Sequence, residues 1–159
     1  MNRHVPKYFI NVIFNWFQCC VSTVRWGCAL SSFFQIYAGV RQGGLLSPML
    51  FSECMDVLIN RLRQSRLGYK VLQQYFGCIL YADDIILLSH SLTAMRAMLD
   101  ICEKFAFDFD AKFNSLKLTV ARIGERFDAE CAPLILDGFD LQYVQCFKYS
   151  GVHILPGRP

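Results

Sequence analysis

The pattern of apolar and polar positions predicts helices and short strands that alternate along the chain. Val5 to Cys20 is mostly apolar and could form one helix that ends near Cys20. Val21 to Gly27 and Ser31 to Tyr37 alternate and are rich in β-branched and aromatic residues, so we expect two strands that can pair as a hairpin. Ala38 to Leu46 contains three glycines and is predicted to be a loop.

Two further helices are predicted from apolar residues at three- and four-residue steps. The first opens at Ser47-Pro48, with Ser47 as N-cap and Pro48 at the first helical position, and runs to about Gln64. The second is capped by Ser91 or Thr93. Their buried faces are predicted to carry Leu50, Cys54, Val57, Leu58 and Leu62 in the first helix, and Leu92, Met95, Leu99, Cys102, Ala106 and Phe109 in the second.

The remaining apolar runs predict strands, and together the elements indicate an α+β fold. The strands are expected at Tyr69–Leu72, Tyr75–Tyr81, Ile85–Ser89, Leu116–Val120, Leu134–Leu136 and Phe147–Ile154. Asp137-Gly138 lies between apolar runs and is typical of a hairpin turn. An antiparallel sheet with helices packed on one face is the economical architecture for this order of elements.

Composition excludes several classes of protein. Apolar residues make up 54% of the chain and charged residues 18%, which favours a globular body over a disordered chain. No membrane span is expected, because the most apolar stretch, Val12 to Leu30, is interrupted by polar residues and an arginine. Met1 to Pro6 lacks the pattern of a signal peptide. The eight scattered cysteines contain no C-x-x-C pair, so we expect reduced thiols and a cytoplasmic or nuclear protein.

Charge is distributed unevenly between the two halves. Residues 1–70 contain eight Lys/Arg and two acids, whereas residues 71–159 contain eight Lys/Arg and eleven acids. A basic N-terminal half is compatible with phosphate contacts. A solvated basic face is an equally good interpretation of charge alone.

The segment Tyr81-Ala82-Asp83-Asp84 carries the strongest chemical signal. Two carboxylates lie at a predicted tight turn between two apolar strands. At an effective dielectric constant of about 20, two such charges repel by roughly 4 kcal/mol, which a cation would offset. Mg²⁺ fits because it prefers oxygen ligands and binds through one or two carboxylates plus substrate phosphates. A solvated hairpin turn is the alternative, since Asp is common in turns.

A glycine-rich loop about forty residues upstream is the second signal. Gly39 to Phe51 reads G-V-R-Q-G-G-L-L-S-P-M-L-F and leads into a predicted helix N-terminus. Glycines let the backbone approach a ligand, and a helix start favours anionic groups. By itself such a loop is an ordinary connection, but the loop and the acidic turn in this order form a specific combination.

These segments resemble motifs of reverse transcriptases, in particular the non-LTR (LINE-type) retrotransposon enzymes. The glycine loop is similar to their template- and nucleotide-contacting motif, and Tyr81 to Asp84 is similar to their catalytic metal motif. Two weaker matches follow in the expected order, Asn114-Ser115-Leu116-Lys117 and Phe147 to Val152 in the primer-grip region. Group II intron maturases share parts of the pattern. The resemblance spans Val5 to Ile154.

The resemblance implies a partial polymerase palm domain over residues 1–159, with the start of the primer-grip and thumb connection near 147–159. It implies RNA-directed DNA polymerase chemistry by two-metal nucleotidyl transfer with Mg²⁺, or Mn²⁺ in its place, on an RNA template, a DNA primer and dNTP. Asp83 would ligate the metal, Asp84 would support it, and Lys117 would lie near the triphosphate. The implied nucleic-acid contacts are Arg41, Gln42, Gly43, Tyr81, Ala82, Tyr149 and Gly151.

The chain departs from the family pattern in one major respect. The family uses a third metal-ligating Asp upstream of Gly39, and residues 1–38 contain no Asp or Glu, so that motif and the preceding fingers segment are expected to be missing. We therefore expect no polymerisation by this chain alone and an unpaired apolar edge on the Tyr75–Tyr81 strand. Milder departures are Leu118 after Lys117 and Ser150 in place of a leucine, where a hydroxyl would replace a packed apolar side chain.

Two other classes stay open from the sequence. One is a non-catalytic nucleic-acid-binding remnant of a retrotransposon, which predicts salt-dependent binding. The other is an inactive α+β fragment of a decayed gene. Genomic sequence upstream of Met1 distinguishes a truncated enzyme from a decayed one.

Overall fold

The structure is a computed structural model that describes residues 5–37, 39–114, 117–124 and 131–155. The chain divides into two compact units, Met1–Leu50 and Phe51–Pro159, called unit 1 and unit 2 below. Of the predicted elements, parts of the Leu116–Val120 strand and of the Asn114–Lys117 segment lie outside the described residues. No helix in the described ranges is long and apolar enough to cross a membrane.

Unit 1 consists of one helix and one long hairpin. Helix α1 spans Lys7–Gln18, close to the predicted bounds. The hairpin strands are β1 (Val21–Ser22), β2 (Arg25–Trp26), β3 (Ala29–Leu30) and β4 (Phe34–Gln35), with β1 paired to β4 and β2 paired to β3. The Ile36 N–H donates to the Cys20 carbonyl at 3.0 Å and extends the outer pair. The predicted hairpin is confirmed.

Unit 2 holds most of helix α2, helix α3 and ten short strands within its described residues. Helix α2 spans Ser47–Gln64, and α3 spans Leu92–Asp108. The strands are β5 (Lys70–Val71), β6 (Gln74–Tyr75), β7 (Cys78–Tyr81), β8 (Asp84–Leu87), β9 (Thr119–Val120), β10 (Ile135–Leu136), β11 (Phe139–Asp140), β12 (Gln142–Tyr143), β13 (Phe147–Tyr149) and β14 (Val152–Ile154).

Local capping and turn signals produced the elements that they predicted. The Ser91 hydroxyl accepts a hydrogen bond from the Ala94 N–H at 3.2 Å and caps α3. Asp137 and Gly138 hold φ angles of +50° and +78° between β10 and β11, as a type I′ hairpin turn requires. Helix α2 begins at Ser47 and not one residue later, so Ser47 is its first residue and the Leu46 carbonyl accepts from the Leu50 N–H.

The core lies in unit 2, between α2, α3 and the β10 region. Its buried residues are Met55, Leu58, Leu62, Met98, Leu99, Cys102, Phe105, Leu134, Leu136 and Leu141. The predicted faces of both helices are confirmed at most positions. Phe109 is an exception, because it lies at the C-terminal cap of α3 and remains 41% exposed.

The α+β class is confirmed, but the strands do not form one sheet in the described parts of the chain. They pair as seven two-stranded ladders, of which six are antiparallel and the β9–β12 pair is parallel. Five of the seven ladders pair strands that are consecutive along the chain, and the β1–β4 and β9–β12 ladders do not. Residues of β6, β7, β8, β9 and β10 pack on the core to which α2 and α3 contribute.

Candidate active site

The acidic turn joins strands β7 and β8, which have four residues each. Their register determines which side chains lie on each face of the hairpin. Strands β7 and β8 pair Leu80 with Ile85 and Tyr81 with Asp84. Side chains at directly opposite positions share a face, and faces alternate along a strand. The inner face therefore carries Cys78, Leu80, Ile85 and Leu87, all of which pack against the core of unit 2. The outer face carries Ile79, Tyr81, Asp84 and Ile86.

This register places both carboxylates where a solvent-borne ligand can reach them. Asp83 and Ala82 form the two-residue loop at the tip, and Asp84 begins β8 directly opposite Tyr81. All four residues of the segment are exposed, Tyr81 by 64%. Ala82 holds a φ of +51°, a left-handed conformation that costs a non-glycine residue about 1 kcal/mol. The hairpin thus holds a strained tip next to the acidic pair.

The base of the same hairpin is held by close backbone packing. The Leu88 N–H donates to the Gly77 carbonyl at 2.9 Å, and the Tyr69 N–H donates to the Leu88 carbonyl at 2.8 Å. A Cβ on Gly68 would lie 2.8 Å from the Gly77 Cα, so no side chain fits there. Burial raises the pKa of the Cys78 thiol, which therefore acts as a neutral apolar contact on the inner face.

Asp83 and Asp84 match the ligands that a protein usually contributes to a magnesium site. Mg²⁺ takes one or two carboxylates and completes its octahedron with water and substrate phosphates. Asp83 and Asp84 are hard oxygen donors at an exposed tip, so they match that donor set. Within the described ranges, no group of three or more His, Cys, Asp or Glu side chains could hold a metal ion.

In unit 1 the glycine loop is closed by a side-chain bond that the sequence did not reveal. The Ser47 hydroxyl donates to the Arg41 carbonyl at 2.6 Å, and Ser47 is only 9% exposed. A Cβ on Gly44 would lie 2.7 Å from that hydroxyl oxygen, so this glycine leaves room for the bond. Arg41, Gln42 and Gly43 are exposed on the closed loop. The Ser47-Pro48 pair predicts a helix cap, and that prediction does not include a hydrogen bond from Ser47 back to the loop.

The other predicted site residues occupy two further places in unit 2. Lys117 is exposed, and its N–H donates to the Asn114 carbonyl at 2.9 Å. Tyr149 ends β13 opposite Val152, and Gly151 lies in the intervening turn. The Tyr149 hydroxyl is buried and has no hydrogen-bond partner among the described residues. Among the residues that the structure describes, no side-chain hydrogen bond or ion pair joins Lys117 or Tyr149 to the acidic turn.

The expected cost at Ser150 is wrong. Ser150 was expected to place a hydroxyl where an apolar side chain packs. It instead lies in the turn between β13 and β14 with a φ of +46°, and it is exposed. A hydroxyl that stays in water loses no hydrogen bonds on folding, so the penalty for a buried polar group does not apply.

Comparisons with known proteins agree with the motifs. The family model described as reverse transcriptase (RNA-dependent DNA polymerase) matches residues 2–154. The retrovirus-related Pol polyprotein from type-2 retrotransposable element R2DM of Drosophila melanogaster is 26% identical over 156 residues, which cover 93% of this chain and 15% of that protein. The retrovirus-related Pol polyprotein from type-1 retrotransposable element R2 of Nasonia vitripennis is 37% identical over 65 residues, 41% of this chain and 6% of that protein.

The chain spans a small part of the length of these curated relatives, and the expected resemblance to non-LTR retrotransposon proteins is confirmed. Because the family model matches residues 2–154, which are nearly the whole chain, the chain belongs to the reverse transcriptase (RNA-dependent DNA polymerase) family.

Proposed function

We propose that this chain is part of the palm domain of an RNA-directed DNA polymerase and that Asp83 and Asp84 hold its catalytic metal. The observation that carries the proposal is the β7–β8 register, which packs four partly buried apolar side chains against the core and presents both carboxylates at an exposed tip. Family membership adds the expectation of a polynucleotide substrate.

Each exposed group would have one task in nucleotidyl transfer. A bound Mg²⁺, or Mn²⁺ in its place, would lower the pKa of the primer 3′-hydroxyl and stabilise charge on the attacking and leaving oxygens. Tyr81 and Ala82 would border the primer terminus and the incoming dNTP. Lys117, a mobile point charge on a long stem, would neutralise the triphosphate.

The remaining contacts would hold the two strands of nucleic acid. Arg41, Gln42 and Gly43 would contact the RNA template or the nucleotide. Tyr149 and Gly151, at the β13–β14 hairpin, would hold the DNA primer. We place the protein in the cytoplasm or nucleus, where such substrates occur.

Metal binding at the turn is tested without any activity assay. Amide NMR signals of Ala82 to Asp84 are followed during Mg²⁺ titration of the wild type, of Asp83→Asn and of the matched control Asp140→Asn, which alters an exposed carboxylate in β11. Saturable shifts that vanish in Asp83→Asn and persist in Asp140→Asn support the proposal. Identical titrations of all three proteins would refute it.

We further propose that the chain alone does not extend a primer. Two carboxylates are its contribution to the metal site, and residues 1–38 offer no third. A primer-extension assay with Mg²⁺ or Mn²⁺ should show no product above that of Asp83→Asn. Robust synthesis by the wild type would contradict this.

Binding of nucleic acid without turnover is the second candidate function. It is favoured by unit 1, in which residues 1–50 contain four Lys/Arg and no acid. Binding should weaken with salt in proportion to the number of phosphates contacted. Affinity that does not change with salt would argue against it.

A further inference from the structure

Unit 2 contains a cavity at the end of β8 that lies away from the acidic turn. It has a volume of about 530 Å³, within the range of ordinary ligand sites. Leu87, the last residue of β8, lines the cavity. Leu87 lies three residues beyond Asp84, roughly 10 Å along a strand, so the cavity is separate from the acidic pair.

The walls of the cavity come from three segments that hydrogen bonds hold in place. The β9–β12 ladder aligns Val120 with Tyr143, and the Val144 N–H donates to the Val120 carbonyl at 2.8 Å. Before α3, the Ser89 hydroxyl donates to the Ser91 carbonyl at 3.0 Å. A cavity with walls fixed in this way exists before any ligand arrives, which lowers the ordering cost of binding.

Aliphatic side chains form much of the cavity surface. Leu134 belongs to the buried core, and Leu87, Leu92, Met95 and Val120 pack against that core but remain partly exposed. A ligand that covers these side chains removes their apolar surface from water, which favours binding. Methionine is unbranched and adapts its shape to its neighbours. The cavity therefore suits a flexible alkyl tail.

The charge at the cavity determines which head group such a tail can carry. Arg122 lines the cavity, and its Nη1 donates to the Cys131 Sγ at 3.0 Å. The guanidinium remains charged at any working pH. His90 is a further basic side chain, and no Asp or Glu is among the described residues that line the cavity. Burial is the main cause that raises the pKa of Tyr143, so its phenol adds no negative charge at neutral pH.

A carboxylate complements this arrangement, because a guanidinium forms short, charge-assisted hydrogen bonds to carboxylates. We propose that the cavity binds a small monocarboxylate with a linear alkyl tail, its head group beside Arg122 and its tail along Leu92 and Met95. The site goes beyond the proposed function, since it lies at the other end of β8 from the acidic pair. Binding at this cavity therefore requires neither Mg²⁺ nor Asp83.

Isothermal titration calorimetry of the full chain with octanoate, 1-octanol and octylammonium, below the concentrations at which they form micelles, tests the head group. Octanoate should bind at least tenfold more tightly than 1-octanol, the gain expected for hydrogen bonds to a charged group. Octylammonium should bind most weakly of the three. Affinity for 1-octanol or octylammonium equal to that for octanoate would overturn the proposal.

The length of the tail is tested by the same measurement with hexanoate. Each buried methylene strengthens binding by roughly fourfold, so hexanoate should bind about tenfold more weakly than octanoate. Equal affinities for the two acids would show that the tail stays in water and would overturn the proposal.

A variant of Arg122 tests the position of the head group. Arg122→Gln should lower the affinity for octanoate to that for 1-octanol, while the affinity for 1-octanol stays unchanged and shows that the cavity is intact. The matched control is Arg63→Gln, because Arg63 is exposed on α2 and does not line the cavity. Equal losses of octanoate affinity in the two variants would overturn the proposal.

Cysteine alkylation locates the ligand in the wild-type chain, and so gives a result even if Arg122→Gln does not fold. Cys131 lines the cavity, whereas Cys146 is exposed and does not. Octanoate should slow alkylation of Cys131 severalfold and leave Cys146 unchanged, and equal effects at both thiols would overturn the proposal. Protection of Cys131 that persists in Asp83→Asn without Mg²⁺ supports the cavity even if the metal turn fails its own test.

Discussion

Gly68 at the base of the acidic hairpin provides the sharpest structural prediction. Its Cβ, if present, would lie 2.8 Å from the Gly77 Cα and 3.0 Å from the Leu88 carbonyl oxygen. Carbon atoms pack best at about 3.5–4.0 Å, so a methyl group must displace backbone by roughly half an ångström or more. Gly68 also has a φ of +91°, and a residue with a side chain adopts this backbone conformation only at a cost in free energy.

The expected loss of stability in Gly68→Ala follows from three contributions. The left-handed backbone costs about 1–2 kcal/mol, and overpacking costs about 1–3 kcal/mol. The smaller entropy of the unfolded alanine chain returns about 0.4–1 kcal/mol. The net free energy of unfolding should fall by about 1–5 kcal/mol.

Gly138→Ala is the matched control, because Gly138 has a φ of +78° and nothing within 4 Å of its Cβ position. It carries the same backbone cost and the same entropy return without overpacking, a net loss of about 0–1.6 kcal/mol. Urea denaturation followed by circular dichroism should give a lower midpoint for Gly68→Ala than for Gly138→Ala, at an unchanged slope. Equal midpoints would refute the claim that close backbone packing anchors the hairpin.

Three further predictions concern the loop, the core and the surface. Ser47→Ala should cost about 1 kcal/mol in urea denaturation, because the Arg41 carbonyl loses its 2.6 Å donor; no change would mean that water replaces the hydroxyl. Burial raises the pKa of Cys102 to about 12 from 9.0. The stability that the neutral thiol contributes is therefore complete below pH 9 and is lost as pH rises toward 12, at about 1.4 kcal/mol per pH unit. Cys102→Ala should make the free energy of unfolding less dependent on pH in this range, and an unchanged dependence would contradict the assignment. Asp108→Asn should cost less than about 1 kcal/mol, since the 2.7 Å bridge to Arg61 is largely solvated; a double-mutant cycle that gave several kcal/mol would contradict this.

The sequence alone identified the elements whose signals are local. The C-terminal end of α2, the Ser91 cap and the Asp137-Gly138 turn depend on side chains within a few residues, and the sequence predicts each of them. The acidic turn was also recognisable, because two apolar runs bracket it. These features depend on short-range hydrogen bonds and backbone preferences, which a linear pattern contains.

Tertiary structure decided what the linear pattern left ambiguous. Ile85 to Leu88 is apolar at every position, so no alternation shows which side chains face the core. Only the pairing with β7 against α2 and α3 turned Ile85 inward and Asp84 outward. The bond from Ser47 to the Arg41 carbonyl and the parallel β9–β12 pair likewise join distant residues. Such contacts form because the folded chain brings their partners together, and no local preference of either partner encodes them.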